Sequence, residues 1–318
     1  MSGSLCSLVI PVYKNEANLS DLLKALTSLH EQSELPMEVV FVIDGSPDRC
    51  YEILLRELER VPFQSKLILF SRNFGSFAAI RAGLEIASGD YLAIMAADLQ
   101  EPPELVLKMW EELAADTADV VIAVRKSRND PLMTKLPSTI FWGLYRRFVV
   151  PEVPHGGVDI FGCNRAFRDE LLKLDERHSS LIAQMFWVGF RRKFLEYERQ
   201  ERVHGKSAWT LRKKINYLLD STFSFTDLPI QLLIQVGGVT TILSAMFGLL
   251  VIVFRLMGWI DVPGYTATII AIVFFGALNL FALGIVGAYA WRTYENTKSR
   301  PLHIILREHE FQSLKNGD

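Results

Sequence analysis

Short apolar runs alternate with amphipathic stretches through the first half of the chain. Ser7 to Val12 (SLVIPV), Met37 to Ile43 (MEVVFVI), Lys66 to Ser71, Tyr91 to Met95 (YLAIM) and Val120 to Val124 are each bounded by polar turns. Runs of this kind read as buried strands. Between them the apolar spacing is helical. Leu22, Leu23 and Leu26 share a face behind the caps Asn18 or Ser20, Tyr51 to Leu58 and Ser76 to Ala87 follow, and Pro103 opens a helix over Glu104 to Ala115. Strand and helix in alternation predict βαβ units and a mostly parallel sheet. Right-handed crossovers then bring the loop after each strand to one edge, so Glu16, Asp44, Asn73 and Asp98 are expected to converge there.

The second half reads differently. Pro131 to Val150 carries Phe141, Trp142, Tyr145 and Phe148 beside Arg146 and Arg147, a pattern that suits an interfacial helix or a core helix equally. Asp159 to Phe161 reads as a short strand, Leu181 to Phe190 as an apolar helix and Leu195 to Arg199 as a strand. Gln200 to Trp209 (QERVHGKSAW) is a glycine-containing loop with Arg202, His204 and Lys206. Leu211 to Phe225, with Arg212, Lys213 and Lys214, is amphipathic and reads as a helix lying on a bilayer surface.

No charged residue occurs between Asp227 and Arg255, nor between Asp261 and Arg292. Each gap exceeds the roughly 20 residues a helix needs to cross a bilayer. Two spans are therefore expected, at about 232–256 and 265–291. Basic residues flank their outer ends, which puts both termini in the cytoplasm and the linker outside. Trp259, Tyr265 and Trp291 suit the interfaces. Leu302 to Leu306 reads as a strand in the tail. The expected organisation is residues 1–207 as the soluble domain, 208–228 as an interfacial region, 229–292 as a transmembrane hairpin and 293–318 as a cytoplasmic tail.

Charge and cysteines narrow the classes. A net charge of −2 argues against nucleic acid as a partner. The three cysteines, Cys6, Cys50 and Cys163, are widely spaced and predict neither a disulfide framework nor a zinc site. The N-terminus has neither a basic n-region nor a long apolar core, so the soluble part is expected in the cytoplasm.

The chemistry concentrates after the Tyr91 strand, in MAADLQEPPEL. Asp98 and Gln100 offer a carboxylate and an amide oxygen two residues apart. In an extended segment these point the same way, as hard ligands for Mg²⁺ or Mn²⁺ on a diphosphate. Asp44-Gly45-Ser46 is either a plain turn or a ribose contact, and four such loops on one edge favour a nucleotide site. Arg125, Lys126 and Arg128 form a basic cluster after a strand, suited to a diphosphate or to solvent.

In order, VIPVYKNEANL, VIDGSPD, SRNFGSFAAIRAGLEIASGD, MAADLQEPPEL, GGVDIFGCNRAF, RVHGKSAW and a two-helix tail ending YENTKSRPL resemble the family 2 glycosyltransferases that use polyprenyl phosphate as acceptor. Dolichyl-phosphate mannose synthases and bacterial undecaprenyl-phosphate glucosyltransferases belong to that group. The resemblance covers nearly the whole chain. It implies a GT-A fold, a Rossmann-like mostly parallel sheet, followed by interfacial helices and a two-helix hairpin. It further implies transfer of a hexose, glucose first, from a UDP-sugar to polyprenyl phosphate at the cytoplasmic face of the inner membrane, by a homotetramer. By resemblance Pro11, Tyr13, Glu16, Asp44, Ser46, Asn73, Arg81, Arg125 and Arg128 hold the nucleotide sugar. Asp98 and Gln100 hold the metal, and Arg202, Lys206 and Ser207 hold the lipid phosphate. Asp98, Arg202 and Lys206 would carry the catalysis. In one respect the chain departs from the family: Ala96 stands where the first Asp of its Asp-Ala-Asp-Leu-Gln motif would be, leaving Asp98 as the motif's carboxylate. This keeps open the alternative of a catalytically impaired nucleotide-sugar-binding subunit. A processive synthase of the cellulose type shares the early motifs but needs more membrane helices and a Gln-x-x-Arg-Trp motif, and is not expected.

Overall fold

A computed structural model describes residues 4–126, 143, 145–147, 150–154, 158, 160–176, 179–200, 219–223, 226, 228–259 and 264–313. The chain divides into two compact units. The first comprises Met1–Lys214 together with Pro301–Asp318, and the second Ile215–Arg300.

Unit 1 is built on an eight-stranded sheet. Its strands are β1 (Cys6–Val12), β2 (Met37–Ile43), β3 (Gln64–Phe70), β4 (Tyr91–Ile94), β5 (Val120–Arg125), β6 (Phe161–Asn164), β7 (Arg192–Tyr197) and β8 (Ile305–Phe311). Their spatial order is β7-β5-β6-β4-β1-β2-β3-β8. Six strands run the same way, while β6 and β8 run against their neighbours. The helices are α1 (Leu19–Gln32), α2 (Cys50–Glu57), α3 (Ser76–Ile86), α4 (Glu104–Ala114), α5 (Arg165–Leu172) and α6 (Leu181–Val188).

The burial pattern explains why the central strands read as largely apolar runs. Every residue of β2 is buried, as expected of a parallel strand covered on both faces. One face packs Leu8, Ile10, Val39 and Phe41 against Leu22 and Leu26 of α1, Leu54 of α2 and Met109 of α4. The other face receives α3, where a Cβ on Gly83 would come within 2.2 Å of Val9 Cγ1. The chain winds from β1 outward to β3, then crosses back to place β4 on the far side of β1. A right-handed crossover in the reversed direction must pass over the opposite face, which is where α3 lies.

At the amino-terminal end of β2, Glu38 is 3% exposed and fully engaged. Its Oε2 accepts from Ser7 Oγ at 2.6 Å and Ser88 N at 2.9 Å, and its Oε1 pairs with Lys66 Nζ at 3.0 Å. Burial alone would push this carboxyl up, but the bonds from Ser7, Ser88 and Lys66 together hold it below the usual range.

The tail is part of this sheet. Where the sequence suggests Leu302 to Leu306, the strand is Ile305–Phe311, paired antiparallel with β3. Tyr51 Oη and His309 Nε2 lie 2.8 Å apart and fasten it to α2.

Unit 2 contains two long helices, α7 (Leu228–Leu256) and α8 (Tyr265–Thr297). At the helical rise their 29 and 33 residues amount to about 43 and 50 Å, more than a hydrocarbon core requires. Among the described residues, Phe274–Thr297 is long and apolar enough to cross a membrane. Large apolar side chains on both helices face outward, among them Ile242, Phe247 and Leu249 on α7 and Leu280, Phe281 and Leu283 on α8. Near the end of α8, Arg292 Nη2 bonds Asp220 Oδ1 at 2.8 Å, and its guanidinium lies 5.0 Å from the Phe223 ring.

Candidate active site

The winding reverses between β1 and β4, and in open α/β sheets ligands bind in the crevice beyond the carboxyl ends of the strands at such a reversal. The loops leaving β1, β2, β3, β4, β5 and β7 all emerge on this edge, because those six strands are parallel.

Three of the loops are bonded into one platform. Lys14, in left-handed conformation at φ 56°, donates its amide to Ser46 Oγ at 2.8 Å. Ser46 Oγ donates in turn to Asp48 Oδ1 at 2.6 Å, and Asp48 Oδ2 accepts from Glu16 N at 3.2 Å. Glu16 is paired with Arg49, whose Nε donates at 2.9 Å and whose bonds hold the Glu16 carboxyl below its usual range. The β2 and β3 loops are joined by Asp44. It is 3% exposed, its Oδ1 accepts from Phe74 N at 2.6 Å, and its Oδ2 accepts from Gly75 N at 2.9 Å and Asn73 Nδ2 at 2.8 Å. Gly45 makes the junction possible: at φ 55°, a Cβ there would lie 2.2 Å from the Arg72 carbonyl carbon. Pro11 and Tyr13, both half-buried, complete the platform from β1.

Pro11, Tyr13, Glu16, Asp44, Ser46 and Asn73 are thus brought together as the sequence suggests. Asp44 turns its oxygens toward the loop it shapes. Arg81 is not in the group. It is 8% exposed and donates to Leu171 O at 3.1 Å and Leu172 O at 2.6 Å, tying α3 to the last turn of α5. Desolvation lowers its pKa, with Asp175 and Glu85 opposing.

The motif after β4 is a turn. The strand ends at Ile94, and Leu99 sits at φ 55°, so Asp98 and Gln100 do not alternate along an extended segment. A left-handed non-glycine residue costs about 1–2 kcal/mol, and such residues concentrate at binding sites. Asp98 Oδ1 accepts from Gln100 N at 3.4 Å. The Gln100 carbonyl accepts from Gln200 N at 2.9 Å, and Gln100 Oε1 accepts from Arg199 Nη2. Arg125 ends β5 on the same edge. Arg128, Asp159, Arg202, Lys206 and Ser207 lie outside the described residues.

Arg199 escaped the sequence reading because it runs a strand through Arg199, and Gln200 was read only as the first residue of the loop that follows. The strand ends at Tyr197, which places both residues in the loop leaving β7, on the same edge as the motif after β4. The boundary is set by the strand's register with β5, which ends at the Arg125–Tyr197 pair and leaves no mark in the sequence.

Among the described residues no three His, Cys, Asp or Glu side chains converge as a metal cage. Asp98 and Gln100 nevertheless fit a hard cation that shares a diphosphate, since Mg²⁺ commonly takes one or two carboxylates and completes its shell with phosphate oxygens and water.

Residues 7–175 match glycosyl transferase family 2. The chain is 32% identical over 303 residues to an uncharacterized glycosyltransferase of Synechocystis sp., covering 94% of each. It is 31% identical over 304 residues to a prophage-derived bactoprenol glucosyl transferase of Shigella flexneri, covering 95% of this chain and 98% of that protein. Among solved structures, mannosyl-3-phosphoglycerate synthase from Rubrobacter xylanophilus matches with a TM-score of 0.46 and 16% identity, over 69% of this chain and 71% of that one.

Proposed function

The chain belongs to glycosyl transferase family 2 and is a glycosyltransferase; from that premise we propose that it moves glucose from UDP-glucose to a polyprenyl phosphate at the cytoplasmic face of a membrane. The observation that carries the acceptor is the match to a bactoprenol glucosyl transferase over 95% of this chain, helical unit included. The donor side is supported by the welded platform at the strand-order reversal, where a GT-A fold would hold its nucleotide sugar.

The chemistry follows from the groups at that edge. A phosphate oxygen of the lipid, anionic at neutral pH, attacks the anomeric carbon. The bond from that carbon to the diphosphate oxygen breaks, and UDP leaves with the electron pair. One displacement inverts the anomeric configuration. The nucleophile needs placement more than a strong base. Glu16, Asp44 and Ser46 shape the loops around the nucleoside, and Arg125 offsets diphosphate charge. Arg202, Lys206 and Ser207 are assigned to the lipid phosphate. A divalent ion on Asp98 and Gln100 would neutralise the leaving diphosphate when bound.

Chain connectivity supports a hairpin in the membrane. Both ends of unit 2 join the same folded body, because β8 returns to pair with β3. A chain that leaves and re-enters one body on one side of a bilayer must cross an even number of times. On this reading α7 and α8 are the two crossings, both termini stay in the cytoplasm, and copies associate as a tetramer through the outward apolar faces. Ala96 favours a second reading, a nucleotide-sugar-binding subunit without turnover. Offering the purified full chain a panel of UDP-sugars with a short-chain polyprenyl phosphate separates the two. Selective UDP-glucose consumption, abolished by Asp98→Ala, supports the transferase; UDP-sugar binding with no consumption supports the subunit.

A further inference from the structure

We propose that Arg199 shares with the divalent cation the task of neutralising the donor's diphosphate, an inference that rests on the donor site proposed above. The motif after β4 brings one carboxylate, Asp98, since Ala96 contributes none. Its second oxygen, Oε1 of Gln100, already accepts from the Arg199 guanidinium. A hydrogen-bonded nitrogen stands about 3 Å from that oxygen, whereas a ligated Mg²⁺ would stand about 2.1 Å from it. Guanidinium and metal therefore address the same oxygen, and Arg199 delivers positive charge to the place where the metal's charge would be.

Arg199 is held there by more than its own bond. The adjoining Gln200 donates its amide to the Gln100 carbonyl at 2.9 Å, so the chain leaving β7 is pinned to the motif at two consecutive residues. The residue is exposed on the ligand edge. A guanidinium carries five N–H groups in a planar fork that matches phosphate oxygens, so one arm can stay on Gln100 while another meets the ligand. Leu99, next to Gln100, lines a cavity of about 280 Å³ together with Ser28, Leu29, Glu104 and Gln200. Were Gln100 Oε1 to hold a cation, Arg199 would turn its guanidinium to the diphosphate; without one, Arg199 would meet the diphosphate from its place on Gln100.

UDP binding to the full-length protein in detergent, measured by calorimetry with Mn²⁺ and with EDTA, tests this. In the wild type, removing the metal is expected to weaken UDP binding by less than about tenfold. In Arg199→Ala the same removal is expected to weaken it at least about tenfold more than in the wild type, the loss of a charge-assisted bond. Arg199→Gln, which keeps an amide donor for Gln100 but no charge, is expected to behave like Arg199→Ala and decides the matter should the alanine variant not fold. An equal metal effect in the wild type and the folded variants overturns the proposal while leaving the donor site intact. A wild type that binds no UDP with or without Mn²⁺ overturns the donor site and the proposal together.

Discussion

Asp44 is the residue at which resemblance and structure make separable predictions. By resemblance it touches the nucleoside; in the structure it is a buried pin, with three N–H donors from Asn73, Phe74 and Gly75 at 2.6–2.9 Å. Replacing it with alanine strands those donors. A hydrogen bond to a charged group contributes about 1.5–3 kcal/mol net, and stranded buried donors cost about 1–3 kcal/mol each. Phe74 and Gly75 are only half-buried, so water recovers part of the loss. About 3 kcal/mol is a fair expectation for Asp44→Ala. Asp44→Asn keeps the shape but turns an NH₂ toward donors, and about 2 kcal/mol is expected there. For a body of this size each kcal/mol moves Tm by roughly 2–4 °C, so Asp44→Ala should melt about 6–12 °C below the wild type. The assay is thermal unfolding of the purified full chain, paired with KM for the UDP-sugar. The pin predicts a lowered Tm together with a raised KM. A raised KM with an unchanged Tm would refute the structural argument and leave Asp44 as a ligand contact alone.

Three further outcomes follow from the same reasoning. Gly45→Ala should destabilise by about 2 kcal/mol or more, because the residue is left-handed and its Cβ would meet the Arg72 backbone at 2.2 Å; Tm and soluble yield report it. Glu38 has a depressed folded pKa, so its contribution is present above the unfolded value of about 4.3 and is lost as pH falls through the lower folded value. Glu38→Gln should lower stability at neutral pH and flatten the decline below about pH 4 in denaturant titrations. Ala96→Asp should tighten Mn²⁺ binding in the presence of UDP by about tenfold or more, by adding a second carboxylate beside Asp98, as calorimetry would show.

Much of unit 1 was legible because its strands are buried on both faces. β1 and β2 are almost entirely apolar, each broken by one polar residue near its start (Ser7, Glu38), and β3 ends in the apolar run Leu67 to Phe70; pattern reading finds such runs without help. The gaps without charge, between Asp227 and Arg255 and between Asp261 and Arg292, marked α7 and α8 in the same way. Legibility failed where tertiary context decides. β8 is an edge strand whose sequence, ILREHEF, has the charge expected of an exposed edge, so its place beside β3 left no apolar signature. The left-handed turn at Leu99 leaves no mark in residue identity, and it breaks the alternation that extended geometry assumes. Arg81 reads as a ligand group in a helix near the site, yet carbonyls of α5, 90 residues away in sequence, take its guanidinium. Arg199 was hidden by two residues of strand boundary, the least certain quantity in any pattern-based assignment.

The account is tested most directly by following labelled glucose. Purified full-length protein, incubated with UDP-[¹⁴C]glucose, undecaprenyl phosphate and Mg²⁺, should carry label into an organic-extractable, mild-acid-labile glucosyl phospholipid, and Asp98→Ala should not. Label that stays in UDP-glucose, or appears only as free glucose in the water phase, would contradict it.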